Sequence, residues 1–308
     1  MIYTVTFNPS IDLFVEADIE VGALNRVRKE EYMAGGKGLN VSIVCNQLHM
    51  DTVATGFLGG FTGNFVKEEL EKEGVNHHFI EAEGITRINM KIAGIDETEI
   101  NLTGVNVNRE QFEQLYKYLD EKLTANDALI ISGNAARGTD KDDYGTLCTL
   151  ANQKNALLVV DTNQAYLESL LQHRPFLIKP NVEELAGVFR TAISSEEDIV
   201  FYAKKMQNMG ARNVLVSNGS KGAILISEDG VYYGEPIKGN RVNSIGAGDS
   251  MVAGFVCEWI QTNDYEKSLK MGLVCGALTA FSERLARRED ILKRLPEAVV
   301  TYKKYGGM

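Results

Sequence analysis

Four runs of apolar residues limit the folding options of this chain more than any other feature. DALIIS (127–132), ALLVVD (156–161), FLIKP (176–180) and NVLVSN (213–218) are continuous rather than alternating, and each ends in turn chemistry. A strand that is apolar on both faces must be covered on both, as in a parallel sheet held between helices. The remaining sequence supplies those helices. GLNVSIVCNQL (38–48) places Val41, Val44, Cys45 and Leu48 on one helical face, GNFVKEELEKEG (63–74) predicts a helix that stops at Gly74, and REQFEQLYKYLDEKL (109–123) is amphipathic. IYTVTF (2–7) and TVATGFL (52–58) read as further strands, and three helical stretches are expected near 247–261, 265–282 and 287–303. Strands alternating with helices over most of 308 residues give an α/β, doubly wound, mostly parallel sheet flanked by helices.

Two stretches break that alternation. Residues 11–34 (IDLFVEA, NRVRKEEYMA) and 86–107 (RINMKIAG, ETEINLTG) are strand-like, alternate polar with apolar positions and have no helix between them. They predict a small antiparallel β-sheet lid, set into a core made of 1–10, 35–85 and 108–308. The apolar alternate faces of such a lid need cover, so a homodimer through the lid is expected.

Chemistry is suggested by two glycine clusters and the polar residues around them. In AGGKGLN (34–40), Gly35, Gly36 and Gly38 permit close backbone approach and Lys37 adds a cation, but neither P-loop nor G-x-G-x-x-G spacing is present. In NSIGAGDSMVAGF (243–255), Gly246, Ala247 and Gly248 open a helix whose first-turn N–H groups attract anions. Asp249 follows at once, and by itself reads as a carboxylate serving the helix dipole. KPNVEEL (179–185) puts Lys179 at a strand end and Asn181 and Glu184 three residues apart. That pair suits either a water-mediated Mg²⁺ site or a variant capping box. SNGSKGA (217–223) is a plain hairpin or the rim of a nucleotide site. Asn8, Ser10 and Asp12 end the first strand, where sheets of this kind hold their ligands, and Arg87 and Asn89 lie on the lid, where an Arg is either solvated or clamps a phosphate.

In this order, these motifs resemble the PfkB sugar kinases, whose fold is ribokinase-like. AGGKGLNVS is similar to the family's N-terminal signature, NSIGAGDSMVAGF to its C-terminal one and KPNVEEL to its Asn-x-x-Glu element. TVTFNPSID, TGFLGGFTGNFV and TRINMKI resemble the branch that acts on phosphosugars. The resemblance implies an ATP- and Mg²⁺-dependent phosphotransferase with an alcohol acceptor. It implies a ketohexose phosphate as substrate: fructose 1-phosphate going to fructose 1,6-bisphosphate first, tagatose 6-phosphate going to tagatose 1,6-bisphosphate second. It implies that Asp249 is the base and that the amides of Gly246, Ala247 and Gly248 form an anion hole. Asn181 and Glu184 would organise Mg²⁺ through water, and Lys179, Ser217, Gly219, Gly222 and Gly248 would line the ATP side. Asp12, Gly36, Lys37 and Asn40 would hold the sugar, while Lys37, Arg87 and Arg26 would take its phosphate. SGNAARG (132–138) departs from the branch: Asn134 stands where a serine meets the substrate phosphate, its amide donating in place of a hydroxyl, with Arg137 adding charge nearby.

Composition excludes other classes. A net charge of −10 argues against nucleic acid and anionic membranes as partners. The four cysteines form no C-x-x-C pair, which points to reduced buried thiols rather than zinc. MIYTVTFNPS lacks the features of a signal peptide and no apolar run reaches membrane-spanning length, so a cytoplasmic location is expected. The missing G-x-G-x-x-G tells against a dinucleotide oxidoreductase, and Asp249 in an intact glycine turn tells against a catalytically idle binding protein.

Overall fold

The computed structural model describes residues 1–94 and 98–305; Glu97 of the expected ETEINLTG strand and residues 306–308 of the expected core lie outside the described residues. The chain opens with β1 (Ile2–Thr6), leaves for β2 (Ser10–Glu16) and β3 (Lys29–Gly35), and returns through α1 (Lys37–Gln47), β4 (Thr52–Leu58), α2 (Gly60–Lys72) and β5 (Asn76–Glu81). A second excursion forms β6 (Arg87–Ala93) and β7 (Thr98–Asn101). Alternation resumes with α3 (Arg109–Lys122), β8 (Ala128–Gly133), α4 (Lys141–Gln153), β9 (Leu157–Thr162), α5 (Gln164–Leu170) and β10 (Leu177–Ile178). Then come α6 (Val182–Phe189), α7 (Glu196–Met209), β11 (Asn213–Ser217), β12 (Ala223–Ile226) and β13 (Gly230–Gly234). The chain closes with α8 (Ala247–Thr262), α9 (Tyr265–Ala280), α10 (Arg288–Arg294) and β14 (Val300–Lys304).

The large sheet runs β14-β13-β12-β11-β10-β9-β8-β1-β4-β5 and is parallel from β11 to β5. The apolar runs form its central strands for the reason their composition implies: both faces are covered. Leu129 and Ile131 of β8 pack with Leu115 of α3 and Leu147 of α4. Ala128 and Ile130 of the same strand pack on the other face with Val41 of α1 and Val252 of α8. The four cysteines are free thiols, all buried.

One helix expectation is corrected. Of 287–303, only Arg288–Arg294 is α-helical; a 3-10 turn follows at Leu295–Glu297, and β14 then adds an edge strand antiparallel to β13. Pro296 ends the helix, and the β-branched and aromatic residues from Val299 to Tyr302 favour a pleated edge.

The second sheet is β3-β2-β6-β7. It is mixed rather than antiparallel as expected, because β2 and β6 come from separate excursions and run parallel. Its two faces differ in chemistry. Across the four strands, Tyr32, Leu13, Met90 and Ile100 form one apolar row. The adjacent row on the other face is Met33, Asp12, Asn89 and Asn101.

Candidate active site

Parallel register brings one polar residue from each neighbouring strand to the carboxyl end of the large sheet. Thr6 of β1 lies opposite Ser132 of β8, which lies opposite Asp161 of β9. Lys179 follows β10, one residue past Ile178, whose partner is Val160. This row shares the sheet face covered by α1 and α8. Asp161 is buried; its Oδ1 accepts from Lys37 Nζ at 3.0 Å, and its Oδ2 lies 3.9 Å from Lys179 Nζ.

Two helices start above this row. Gly36, at φ 130°, turns the chain from β3 into α1, and Gly246, at φ 74°, turns it into α8; both conformations suit glycine. A Cβ on Gly38 would collide with the Thr6 hydroxyl and crowd that of Ser132, so glycine lets α1 sit directly on the strands. Neither helix has a side-chain cap, whereas α3, α4, α6 and α7 all carry capping boxes. Both N-termini therefore keep N–H groups for a ligand. The amide of Ala247 bends back to the Ser244 carbonyl at 3.3 Å, while those of Gly246, Gly248 and Asp249 have no hydrogen-bond partner among the described residues.

Asp249 joins the two helix starts. Its Oδ2 accepts from Asn40 Nδ2 at 2.8 Å, and its Oδ1 has no hydrogen-bond partner among the described residues. Burial, helped by the nearby Asp161 charge, pushes its carboxyl up to about 6; Lys37, the Asn40 bond and Lys179 work the other way. Burial disfavours the Lys37 charge, yet Asp161, Asp249 and Glu184 together hold its ammonium above the ordinary value. Asp161 is also opposed by burial, but Lys179 and Lys37 keep it below the usual carboxylate range. The result is a weakly basic carboxylate beside two ammonium groups and a fan of amides.

A cleft of about 920 Å³ opens at Asp249, and Lys179, Ser217, Gly219, Ala277 and Phe281 are among the residues that line it. The 217–223 segment is a hairpin turn between β11 and β12, and its Ser217, Gly219 and Gly222 border the cleft. Gly219 has open space where a side chain would be, whereas a Cβ on Gly222 would collide with the Gly234 carbonyl. Asn181 and Glu184 form a capping box: Asn181 Oδ1 accepts from the Glu184 amide at 2.7 Å, and Glu184 Oε2 from the Asn181 amide at 2.8 Å. Both still border the cleft, with Glu184 Oε1 uncommitted among the described residues. No cluster of three or more His, Cys, Asp or Glu among the described residues is arranged to grip a metal directly. This donor set fits a cation that keeps its water shell.

Asn40, Asp12 and Leu285 border a smaller cavity of about 70 Å³. Asp12 is held by Ser10, Asn89 and Lys91. Arg87 is half-buried, which pulls its guanidinium below the ordinary value against the Asp12 charge. Asn134 is exposed at the end of β8 and accepts from Asn163 Nδ2 at 3.0 Å, leaving its own N–H₂ to donate; Arg137 is exposed nearby in sequence. Arg26 is not brought to the cleft: it stands exposed on the loop between β2 and β3. Two residues that sequence reasoning passed over belong to the site's frame. Asp161 gave the signal of an acid ending a buried apolar run, and Lys91 that of a cation in phase with Arg87 and Asn89 on a strand.

The pfkB family carbohydrate kinase model matches residues 5–289. The chain is 40% identical over 302 residues to the 1-phosphofructokinase of Bacillus subtilis, covering 98% of this chain and 99% of that one. It is 37% identical over 287 residues to the D-tagatose-1-phosphate kinase of Bacillus licheniformis, covering 92% and 94%. Its structure matches phosphofructokinase-2 from Escherichia coli in complex with substrates and products with a TM-score of 0.90, at 25% identity over 96% of this chain and 98% of that one. No helix among the described residues is long and apolar enough to cross a membrane. The chain belongs to the pfkB family of carbohydrate kinases, enzymes that move a phosphoryl group from ATP to a sugar hydroxyl.

Proposed function

We propose that this kinase transfers the γ-phosphoryl group of ATP to the free primary hydroxyl of a ketohexose phosphate, with fructose 1-phosphate going to fructose 1,6-bisphosphate. The observation that carries the reading is the uncommitted Oδ1 of Asp249, set beside the open amides of α8. The acceptor oxygen attacks the γ-phosphorus, the bond to the bridging oxygen breaks, and ADP leaves. Asp249 Oδ1 orients the hydroxyl and takes its proton. The amides of Gly246, Gly248 and Asp249 meet the oxygens of the transferring group, where preorganised donors have most effect.

Lys179, Ser217 and Gly219 line the nucleotide side, with Gly222 shaping the turn. Mg²⁺ arriving with the nucleotide would be held through water by Glu184 and would neutralise phosphate charge. Gly36, Lys37, Asn40 and Asp12 face the sugar, and Arg87 and Asn134 its phosphate, under a lid formed by the small sheet. The lid also serves as the contact of a homodimer. Tagatose phosphates are the second reading, favoured by the likeness to a D-tagatose-1-phosphate kinase.

Coupled ADP release, measured across fructose 1-phosphate, tagatose 1-phosphate, tagatose 6-phosphate, fructose 6-phosphate and the free sugars, tests both. Fructose 1-phosphate should give the highest kcat/KM. A tagatose phosphate in first place selects the second reading, and a free sugar in first place defeats both.

A further inference from the structure

The polar face of the small sheet carries a buried amide with no part in that chemistry. Asn89 of β6 lies in register between Asp12 of β2 and Asn101 of β7. Its two ends serve different partners. Oδ1 accepts from Arg87 Nη1 at 2.9 Å, while Nδ2 donates to Ser10 Oγ at 3.2 Å and Asp12 Oδ1 at 3.3 Å. These partners dictate which way the amide faces: turned over, it would set N–H against a guanidinium and oxygen against a carboxylate. Arg87 is gripped a second time, Nε donating to the Asn8 carbonyl at 3.1 Å, so Nη2 is the end without a partner among the described residues. The other oxygen of Asp12 is fixed by Lys91 Nζ at 2.9 Å. One side chain thus joins a guanidinium suited to phosphate and a carboxylate suited to sugar hydroxyls.

We propose that Asn89 is a positioning residue that sets the distance between the Arg87 guanidinium and the Asp12 carboxylate, and so selects sugars whose phosphate lies at the matching reach from their ring hydroxyls. It touches no substrate and acts through Arg87 and Asp12. The inference rests on the phosphosugar reading above. A guanidinium–phosphate contact depends on alignment, so releasing Arg87 weakens phosphosugar binding. Chemistry at Asp249 is spared, because Asp249 is held from α1 by Asn40 and shares no bond with this network.

The test compares Asn89→Ala and the near-isosteric Asn89→Asp with the unaltered enzyme, after thermal melting has confirmed folding. The substrates are the phosphosugar the unaltered enzyme uses best and its unphosphorylated sugar. KM for the phosphosugar should rise about tenfold or more, with kcat within about threefold. KM for ATP should stay unchanged, and KM for the free sugar, which reads the Asp12 end alone, should rise by less than about threefold. In an Arg87→Gln background the same substitution should add less than about twofold, since the group it positions is gone. A phosphosugar KM within about twofold of the unaltered enzyme's in a folded variant, or the full effect persisting without Arg87, overturns the positioning role alone. An unaltered enzyme that does not prefer phosphosugars overturns the substrate reading, and this inference with it.

Discussion

Asp249 is asked to be buried and to be charged, and the two demands conflict. Its carboxyl is pushed up to about 6 by burial first and the Asp161 charge second, from an ordinary value of 3.8. As the proposed base it must be ionised, so kcat/KM should fall as pH drops through about 6, which a pH–rate profile with a pH-independent coupling assay would read. Asp249→Asn should lower kcat by about a thousandfold or more, since it removes the proton acceptor. The sign for stability is opposite. Between pH 3.8 and about 6 the folded chain keeps a proton that the unfolded chain has released, so ionising Asp249 costs stability as pH rises through that window. The Asn variant should therefore be more stable at pH 7, by about 1–3 kcal/mol, with the advantage gone by about pH 4. Denaturant midpoints at both pH values check this. Asp249 and the glycines before it were legible because they are contiguous. Asp161 was not, because an acid at the end of ALLVVD looks like any turn acid until lateral register sets it between Lys37 and Lys179.

At the scale of elements, the proposed base is aimed by the way α8 packs. Helices α8 and α9 approach closely at glycines: a Cβ on Gly272 would lie 2.9 Å from the Met251 carbonyl, and one on Gly254 2.8 Å from the Met271 carbonyl. Gly272→Val should force the pair apart and cost about 1–3 kcal/mol, read as a lower melting temperature with a reduced kcat. Most strands and helices of the core could be read directly, because continuous apolar runs and single-faced helices leave unambiguous patterns. What could not be read depends on distant partners. The parallel β2–β6 pairing joins segments about eighty residues apart in the chain, and β14 exists because β13 offers it an edge. In KPNVEEL the capping box was one of two open readings; the structure shows that box while leaving one Glu184 oxygen without a hydrogen-bond partner among the described residues.

At the scale of the molecule, the small sheet leaves apolar surface uncovered. Val21 is 97% and Leu24 84% exposed on the loop joining β2 to β3, and Tyr32 and Ile100 at the ends of the apolar row are about half exposed. Such a concentration is more than scattered surface hydrophobics explain. Light scattering at micromolar concentration should give a dimer, and Leu24→Glu combined with Ile100→Glu should shift it toward monomer. The order of strands also carries a cost in time. Ile2 of β1 has Thr52 on one side and Ala128 on the other. During synthesis at roughly 5–20 residues per second, the central strand waits on the order of ten seconds for its second neighbour. Throughout that wait, a nascent chain on the ribosome presents a naked apolar edge at the place where Thr6, Ser132 and Asp161 will later align. That polar row thus cannot exist until β8 and β9 have been made, and its assembly depends on whatever shields β1 in the meantime.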